Sequence, residues 1–559
     1  MPRSIEPPAY LRTAYEAFVV AAERTPDNEF LCIPACAQRD YAPGGVAFTY
    51  AQMASLVEHA RRRYRASGFG SGHRIGLMLG NRPEYFVQFL ACNALGIMVV
   101  PLGLGQAAAE LAHAISDSRV VLVLAPHDQH GLIEDALACV ERPVAVFDHE
   151  DLPASFPLPP SPASGDCPDR GTDALLLYTS GTTGRPKGCR VSNDYFLYGG
   201  QWYISRGGAM AVRDGMERIF NPLPMQHMNA AVLSLMAAIL TSGCVIAADR
   251  FHPGTWWKDV VDARATIVHY MGVIPPILMA MDPGEEETRH TVRFGFGAGV
   301  APAVHVAFER RFGFPLVEVW GMTETGRTLT DHIEPRSPDR RAVGRPSEGL
   351  EVRIVDAEDR DVPRGQPGEL IVRHTAAKPR KGFFNGYLNR PEDTEHAWRG
   401  GWFHSGDVVV QEEDGLVVFV DRSKNIIRRS GENISAGEVE AVLSTHPDIV
   451  SCAVLAVDDD LREQEVFACV VLREGAPAGE AAARALLDHC SERLSYYKLP
   501  GWLAFRQSLP TTVTNKVQHR LIFTGGEDPR QSADCFDLRA FKAAARTTRR
   551  AGKARARAV

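Results

Sequence analysis

Apolar residues recur along this chain in two alternating rhythms, one with the spacing of a helix and one with that of a buried strand. Leu11, Ala14, Tyr15 and Phe18 stand at helical spacing, and residues 11–65 read as helical. From there short apolar runs alternate with amphipathic ones. Strands are predicted at 74–79 and 97–101, with a helix at 83–95 between them, opened by Asn81-Arg82-Pro83. Further strands follow at 120–124 and 144–147, and a Pro/Ser-rich stretch at 152–168 reads as a loop.

A second series of the same units begins at the apolar run Ala174-Leu175-Leu176-Leu177. It continues with a helix from about Ser192, a strand ending in Asn221-Pro222-Leu223-Pro224, a helix at 227–240, and strands at 244–248, 266–271, 292–296 and 315–320. Such alternation predicts mostly parallel sheets with helices on their faces. Between Gly344 and about Val420 the pattern changes to short strands (351–355, 369–373, 416–420) separated by Gly/Pro/Asp turns, as in a small β-barrel or distorted sheet. After the polar run Asp421-Arg422-Ser423-Lys424 come a helix at 436–445, strands at 451–457 and 466–472, and a helix at 480–494.

The expected fold class is therefore α/β. A large N-terminal domain, residues 1–423, carries two helix-flanked, mostly parallel sheets plus a small β-barrel, and a smaller α+β C-terminal domain, residues 424–559, follows an exposed polar linker. No internal repeat is visible.

Composition narrows the function classes. With 559 residues, 45% hydrophobic and 23% charged, the chain is long enough for more than one packed domain and is not compositionally disordered. A net charge of −7 argues against nucleic acid as a main partner. The tail after Asp537, with Lys542, Arg546, Arg549, Arg550, Lys553, Arg555 and Arg557, reads as a solvated terminus. The opening MPRSIEPPAY has no apolar core or small-residue cleavage site, and no apolar run approaches the roughly 18 residues of a membrane span; a cytoplasmic location is expected. The 11 cysteines are scattered and odd in number, which does not suggest a disulfide scaffold. Cys32 and Cys36 are a close pair, but no second Cys or His pair stands at zinc-ligand spacing, so buried free thiols are expected there.

The candidate chemistry centres on residues 178–188, YTSGTTGRPKG. Gly181, Gly184 and Gly188 permit a tight turn whose N–H groups converge on an anion. Thr179, Ser180, Thr182 and Thr183 add hydroxyl donors and Lys187 a point charge, a combination suited to a polyphosphate. The common G-x-x-x-x-G-K-[ST] nucleotide loop is disfavoured, because Arg185-Pro186 precede Lys187 and Gly188 follows it. Trp320-Gly321-Met322-Thr323-Glu324-Thr325 follows a strand, so its polar groups fall at a carboxyl end, where open α/β sheets bind ligands. In Gly401-Trp402-Phe403-His404-Ser405-Gly406-Asp407 an Asp flanked by Gly is placed to accept hydroxyl bonds, and His227 follows a strand and opens a helix.

In this order these motifs resemble the adenylate-forming superfamily of acyl-CoA synthetases, adenylation domains and firefly-type luciferases, over roughly residues 45 to 520. The resemblance implies an AMP-forming acid:thiol ligase that uses ATP, Mg²⁺ and coenzyme A on a small-molecule carboxylic acid. It gives the polyphosphate to residues 179–184 and Lys187, with Gly297, Ala298 and Gly299 on the adenine side, Trp320 stacking the base and Gly321 beside it in the nucleotide site. Thr323 would touch the α-phosphate, Glu324 with Thr182 would hold the metal, and Asp407 and Arg422 would hold the ribose. Lys516, in LPTTVTNK, matches the lysine of the adenylation step, Gly431 lies in the stretch beside the thiol channel, and Lys424 matches the hinge of a mobile C-terminal domain. His227 is a further catalytic candidate.

Three departures stand out: Trp320 for the usual tyrosine, Ser405 for threonine and Asn515 for glycine. The acid pocket would be lined by His227, Met228, Tyr270, Val273, Phe296 and Gly326, with Ala231, Gly295, Ala298 and Trp320 beside them. The run at 224–264, with FHPGTWW, most resembles carnitine/crotonobetaine-type ligases, in which a quaternary ammonium would rest on aromatic faces. A carrier-protein pantetheine in place of coenzyme A, a luciferase-like monooxygenase and a non-catalytic nucleotide binder are the alternatives; a homodimer is the oligomeric expectation.

Overall fold

The computed structural model describes residues 3–104, 106–179, 186–422, 425–429, 432–459, 462–494, 496–511, 517–523 and 528–542. They form two compact units, the first built from Met1–Arg353, Ile371–His404 and Asp414–Val417, the second from Ile354–Leu370, Ser405–Glu413 and Val418–Val559. The division between them falls within the strands Glu351–Val355, Pro367–Arg373, Phe403–Gln411 and Val417–Arg422. The expected junction at Lys424 lies outside the described residues.

The first unit carries two sheets. One has eight strands in the spatial order Leu329–Thr330, Leu316–Trp320, Phe294–Ala298, Ile267–Met271, Arg218–Asn221, Cys244–Ala247, Glu29–Ile33, Val46–Thr49. Every neighbouring pair is parallel except the antiparallel pairings of the first and last strands, so the sheet is parallel through its centre. The other has six strands, in the order Ala145–Asp148, Leu122–Ala125, Arg74–Leu77, Met98–Pro101, Asp173–Thr179, Lys187–Ser192, with only the last pair antiparallel. Central runs such as Leu122–Ala125 (LVLA) and Cys244–Ala247 (CVIA) are buried at every position, as strands covered by helices on both faces must be. Among the described residues no helix is long and apolar enough to cross a membrane.

The pattern reading is corrected in three places. Residues 11–65 are not one helical stretch: a helix at Ala14–Arg24 is followed by strands at Glu29–Ile33 and Val46–Thr49 before a second helix at Tyr50–Ala66. Pro26 interrupts the helical run, and Thr49 with Gln52 forms a capping box that starts the next helix. Residues 187–192 form a strand that turns back antiparallel on Asp173–Thr179, so the phosphate-loop sequence joins a hairpin. The helix expected at 227–240 opens as a π-helix, Asn229–Ser234, and continues as an α-helix, Leu235–Thr241.

The second unit contains a six-stranded sheet in which the long strand Glu463–Leu472 pairs antiparallel with Ile449–Asp459 and parallel with Trp502–Phe505. Its residues alternate between two cores. Val466, Ala468 and Val470 face helices Ala436–Leu443 and Glu480–Arg493, while Phe467, Cys469 and Val471 pack with Ala453, Val457 and Leu509. Glu465, fully buried, accepts bonds from Arg429 Nε at 2.8 Å and Lys542 Nζ at 2.6 Å. Lys542 therefore corrects the reading of the tail as wholly solvated: it also donates to the carbonyls of Tyr497 and Leu499, and its burial pushes the ammonium down to about 8.

Candidate active site

The carboxyl ends of the eight-stranded sheet carry the Trp320–Thr325 and Gly297–Gly299 motifs and His227, whereas the phosphate-loop sequence belongs to the hairpin of the six-stranded sheet. Strand Leu316–Trp320 ends in the turn that carries Thr323 and Glu324, and strand Phe294–Ala298 ends at Gly299. The turn is tightly made: Thr325 Oγ1 donates to the Arg327 carbonyl at 2.8 Å, and the Tyr195 hydroxyl donates to the Thr323 carbonyl at 2.8 Å. Gly326 adopts a φ of +68°, and a Cβ there would run into the Gly382 carbonyl and the Tyr195 ring. Trp320 is buried at the strand end, in register with Leu329.

The Glu324 carboxylate is buried and accepts a hydrogen bond from the Tyr387 hydroxyl at 2.9 Å. The same tyrosine ring has the Lys187 ammonium 5.1 Å from its centroid, and Lys187 Nζ lies 2.9 Å from Asp393 Oδ2. Glu324 and Lys187, assigned to the metal and the polyphosphate by resemblance, are thus linked through one aromatic side chain. Thr179 closes the hairpin opposite Lys187, in register with it. Ser180, Gly181, Thr182, Thr183 and Gly184 lie outside the described residues.

Backbone pairing brings Tyr387 there. Asn385 N–H donates to the Arg190 carbonyl (2.7 Å), Arg190 N–H to the Gly386 carbonyl (3.0 Å) and Leu388 N–H to the Gly188 carbonyl (2.8 Å). This short segment runs along the outer side of strand Lys187–Ser192, while Phe384 N–H reaches the Glu324 carbonyl at 3.0 Å. Sequence reasoning missed Tyr387, whose one local signal was its position between Gly386 and the Pro391 that begins a helix.

Arg327 fixes the same turn from below. Its guanidinium is buried between the rings of Tyr198 and Phe383 at 5.2 and 5.1 Å, donates to the Gly349 carbonyl at 2.6 Å and to His374 Nδ1 at 2.9 Å, and reaches the Lys381 carbonyl. Burial lowers its pKa to about 10, so it stays charged at neutral pH.

Of the pocket candidates, His227 is exposed and Met228 half-buried, with Met228 Sδ 3.6 Å from the Tyr195 hydroxyl. Close packing around the ring nevertheless lowers the His227 pKa through desolvation, which favours neutral imidazole. Val273 is exposed, whereas Tyr270 and Phe296 are 1% and 0% exposed and have no open face. The Tyr270 ring fills the space beside Gly295 and Gly297, and its hydroxyl lies 3.3 Å from Glu318 Oε2. Phe296 packs on Tyr203 and His269. Glu318, which the motifs did not single out, accepts from the Gly299 N–H, and burial pushes its carboxyl up to about 7. The π-helix behind His227 is anchored by a buried chain: the Asn221 amide donates to Asn229 Oδ1 (3.0 Å), His269 Nδ1 lies 2.6 Å from the same oxygen, and the Tyr203 hydroxyl is 3.0 Å from His269 Nε2.

In the second unit, Arg422 Nε lies 3.3 Å from Asp407 Oδ1, so the two residues assigned to the ribose are neighbours. Gly406 has a φ of +70°, and its N–H donates to Glu369 Oε1 at 2.9 Å. Lys424, Gly431 and Lys516 lie outside the described residues.

A buried carboxylate held by a phenol, with an ammonium across the same ring, suits a hard divalent cation and an anion: Glu324 would offer an oxygen ligand and Lys187 a charge complementary to phosphate. Comparisons with known proteins place the chain in a family. Residues 18–388 match the AMP-binding enzyme family and residues 438–516 the AMP-binding enzyme C-terminal domain. A sulfoacetate–CoA ligase of Cupriavidus necator is 31% identical over 91% of this chain and 97% of its own, and a crotonobetaine/carnitine–CoA ligase of Proteus mirabilis is 29% identical over 84% and 92%. In fold, the chain is similar to ATP-bound MatB of Rhodopseudomonas palustris, with a TM-score of 0.75 and 22% identity over 91% of this chain and 98% of that one. The o-succinylbenzoate–CoA synthetase MenE of Bacillus subtilis, in complex with AMP, gives the same TM-score and identity over 92% and 98%. The chain belongs to the AMP-binding enzyme family, the adenylate-forming group that its phosphate-loop and Trp-Gly-Met-Thr-Glu motifs resemble.

Proposed function

We propose that this protein is an AMP-forming acid:coenzyme A ligase. In the first half-reaction an oxygen of the acid carboxylate attacks the α-phosphorus of ATP, the bond to the bridging oxygen breaks, and pyrophosphate leaves. In the second, the coenzyme A thiolate attacks the acyl carbon of the acyl-adenylate and AMP leaves. Neither step needs a covalent bond to the protein, so its task is to position the reactants and neutralise charge.

The observation that carries this reading is the Lys187–Tyr387–Glu324 assembly in a member of this family. Lys187 and the hydroxyls of the preceding loop would hold the β- and γ-phosphates, and Trp320 and the backbone at Gly297–Gly299 would border the base. Mg²⁺, held by Glu324 and Thr182, would neutralise phosphate charge as it develops. By resemblance, the second unit supplies Asp407 and Arg422 for the ribose, Lys516 for the carboxylate and α-phosphate, and the stretch around Gly431 for the thiol. His227, kept neutral by desolvation, would border the acid without adding charge.

For the acid we infer a short molecule with a second charged group. Two relatives are named for sulfoacetate and for crotonobetaine or carnitine, all of this kind. Burial of Tyr270 and Phe296 takes two of the expected aromatic side chains out of the open wall of the pocket. A panel of acids assayed by ATP–pyrophosphate exchange and by thioester formation tests both levels. Exchange with short sulfonated or quaternary-ammonium acids, followed by CoA thioester, is the expected result. Exchange with those acids but thioester only on a pantetheinylated carrier protein would replace the acceptor, and no exchange with any acid would overturn the ligase reading.

A further inference from the structure

A second cluster of chemically active side chains lies away from the residues given to ATP. Strand Glu29–Ile33 runs parallel beside strand Cys244–Ala247, with Cys32 opposite Ile246, so both chains leave the sheet at the same edge. The residues that follow them, Cys36 on one side and Asp249 and His252 on the other, therefore meet. One ligand atom from each, the Cys36 Sγ, an Asp249 carboxylate oxygen and a His252 ring nitrogen, lie within 4.8 Å of one another, and all three residues are half-buried. His252 Nε2 is 3.0 and 3.1 Å from the two Asp249 oxygens.

The loop that presents the thiol is firmly built. Cys36 N–H donates to the Pro43 carbonyl at 3.0 Å, and Arg39 N–H to the Cys36 carbonyl at 3.1 Å. The Arg39 guanidinium donates to the carbonyls of Pro34, Tyr41 and Ala42 at 2.6 to 2.8 Å and stands 3.6 Å from Asp249 Oδ1. Its side chain is 3% exposed. Arg39 thus fixes the Cys36 loop and orients the Asp249 carboxylate toward it.

We propose that Cys36, Asp249 and His252 form a metal site for a borderline divalent transition ion of the zinc type, with a fourth position left to water. A thiolate, a carboxylate and a neutral imidazole are the ligand types such an ion takes, whereas Mg²⁺ prefers oxygen donors throughout. The charges favour it: thiolate and carboxylate together cancel a dication, with the buried Arg39 at 3.6 Å and the exposed Arg250 at 3.8 Å from the Asp249 carboxylate as flanking positive charges. Ligand atoms around tetrahedral zinc stand about 3.3–3.8 Å apart at ordinary bond lengths, so closing on the ion asks for shifts of about an ångström or less. The spacing in sequence hid this site, because its halves come from strands that meet only through sheet order.

The test is titration of the full-length protein, stripped of metal, with Zn²⁺ against a chromophoric chelator, and with Co²⁺ to read the thiolate-to-metal charge-transfer band. One equivalent of each ion and a cobalt–thiolate band are expected. Cys36→Ser should abolish the band, and His252→Gln should weaken Zn²⁺ binding at least about tenfold. Both variants should keep the wild-type circular dichroism spectrum, and Cys36→Ser should keep wild-type ATP–pyrophosphate exchange. Absence of the band in the wild type, or its persistence unchanged in Cys36→Ser, overturns the site; so does Zn²⁺ affinity that neither substitution alters.

Discussion

The Tyr387 hydroxyl sits 2.9 Å from Glu324 Oε1, and through its ring the same residue also meets Lys187. One side chain thereby ties the carboxylate turn of the eight-stranded sheet to the hairpin of the six-stranded sheet. Removing only the hydroxyl, as in Tyr387→Phe, keeps the ring under Lys187 but deprives a buried carboxylate of a charge-assisted donor. Such a bond contributes about 1.5–3 kcal/mol, or roughly 10- to 150-fold. Adenylation should slow by about that factor, with a raised Mg²⁺ requirement and an unchanged circular dichroism spectrum. An unaltered Mg²⁺ titration would detach Tyr387 from the metal role of Glu324.

Lys187 is engaged by Asp393 across a 2.9 Å ion pair that is part-exposed on the acid side, and the lysine holds that carboxyl below its ordinary range. An exposed pair of this kind is worth at most about 1 kcal/mol, so exchanging Asp393 for polyphosphate costs little. Asp393→Asn should therefore change the KM for ATP by less than about fivefold, whereas Lys187→Ala should raise it by more than about tenfold. Equal effects of the two substitutions would show that Lys187 serves the ion pair and not the nucleotide.

The resemblance assigns Lys516 to the first half-reaction alone. Lys516→Ala should abolish ATP–pyrophosphate exchange yet convert supplied acyl-adenylate and coenzyme A to thioester at near wild-type rate. Lys424→Pro, which restricts backbone rotation at the expected hinge, should show the reverse pattern. Single-turnover assays of each half decide the matter, and loss of both halves in Lys516→Ala would refute the division of labour.

His269 is buried between Tyr203 and Asn229, and desolvation pushes its imidazole down to about 3. Between that value and the unfolded value of about 6.5, the unfolded chain takes the proton first, so stability falls as pH falls through this window by up to about 1.4 kcal/mol per pH unit. His269→Gln cannot titrate. It should be less stable than wild type at pH 7, with the gap in urea midpoint narrowing between pH 6.5 and 5. A gap that stays constant or widens on acidification would show that His269 is not held neutral.

Arg327 offers a stability test near the site. Its fork serves two backbone carbonyls and His374 while two rings cover it, a geometry that a single ammonium cannot copy. Arg327→Met should lower stability by about 3–5 kcal/mol because buried acceptors are left unpaired, and Arg327→Lys should recover less than half of that. Thermal unfolding followed by tryptophan fluorescence reads both. Full recovery with lysine would mean that charge alone matters there.

The contrast between Glu324 and Tyr387 shows what a linear reading reaches. Thr323 and Glu324 are legible because strand, turn and acid are contiguous, and the alternation of buried runs on either side of residue 178 announces two parallel sheets. Tyr387 is not legible, since its partners become neighbours only when residues 385–388 align beside strand Lys187–Ser192. The missed strands at Glu29–Ile33 and Val46–Thr49 have a similar cause. They are short, their flanks are helical, and sheet pairing decides their state more than local propensity does. Tyr270 and Phe296 were expected to line the pocket because they lie near its motifs, but strand pleat and the neighbouring glycines turned them into packed interior.

The pairing of residues 385–388 along Lys187–Ser192 also covers an edge of the six-stranded sheet. Lys187–Ser192 is the last strand of its sheet, and a bare terminal strand presents a row of unmatched N–H and C=O groups that another chain can extend. The covering segment occupies such groups at Gly188 and Arg190 and carries Tyr387, so a single short stretch both covers the strand edge and holds the hydroxyl donor of Glu324. A substitution that loosens this cover to move Tyr387 therefore also exposes a sticky edge.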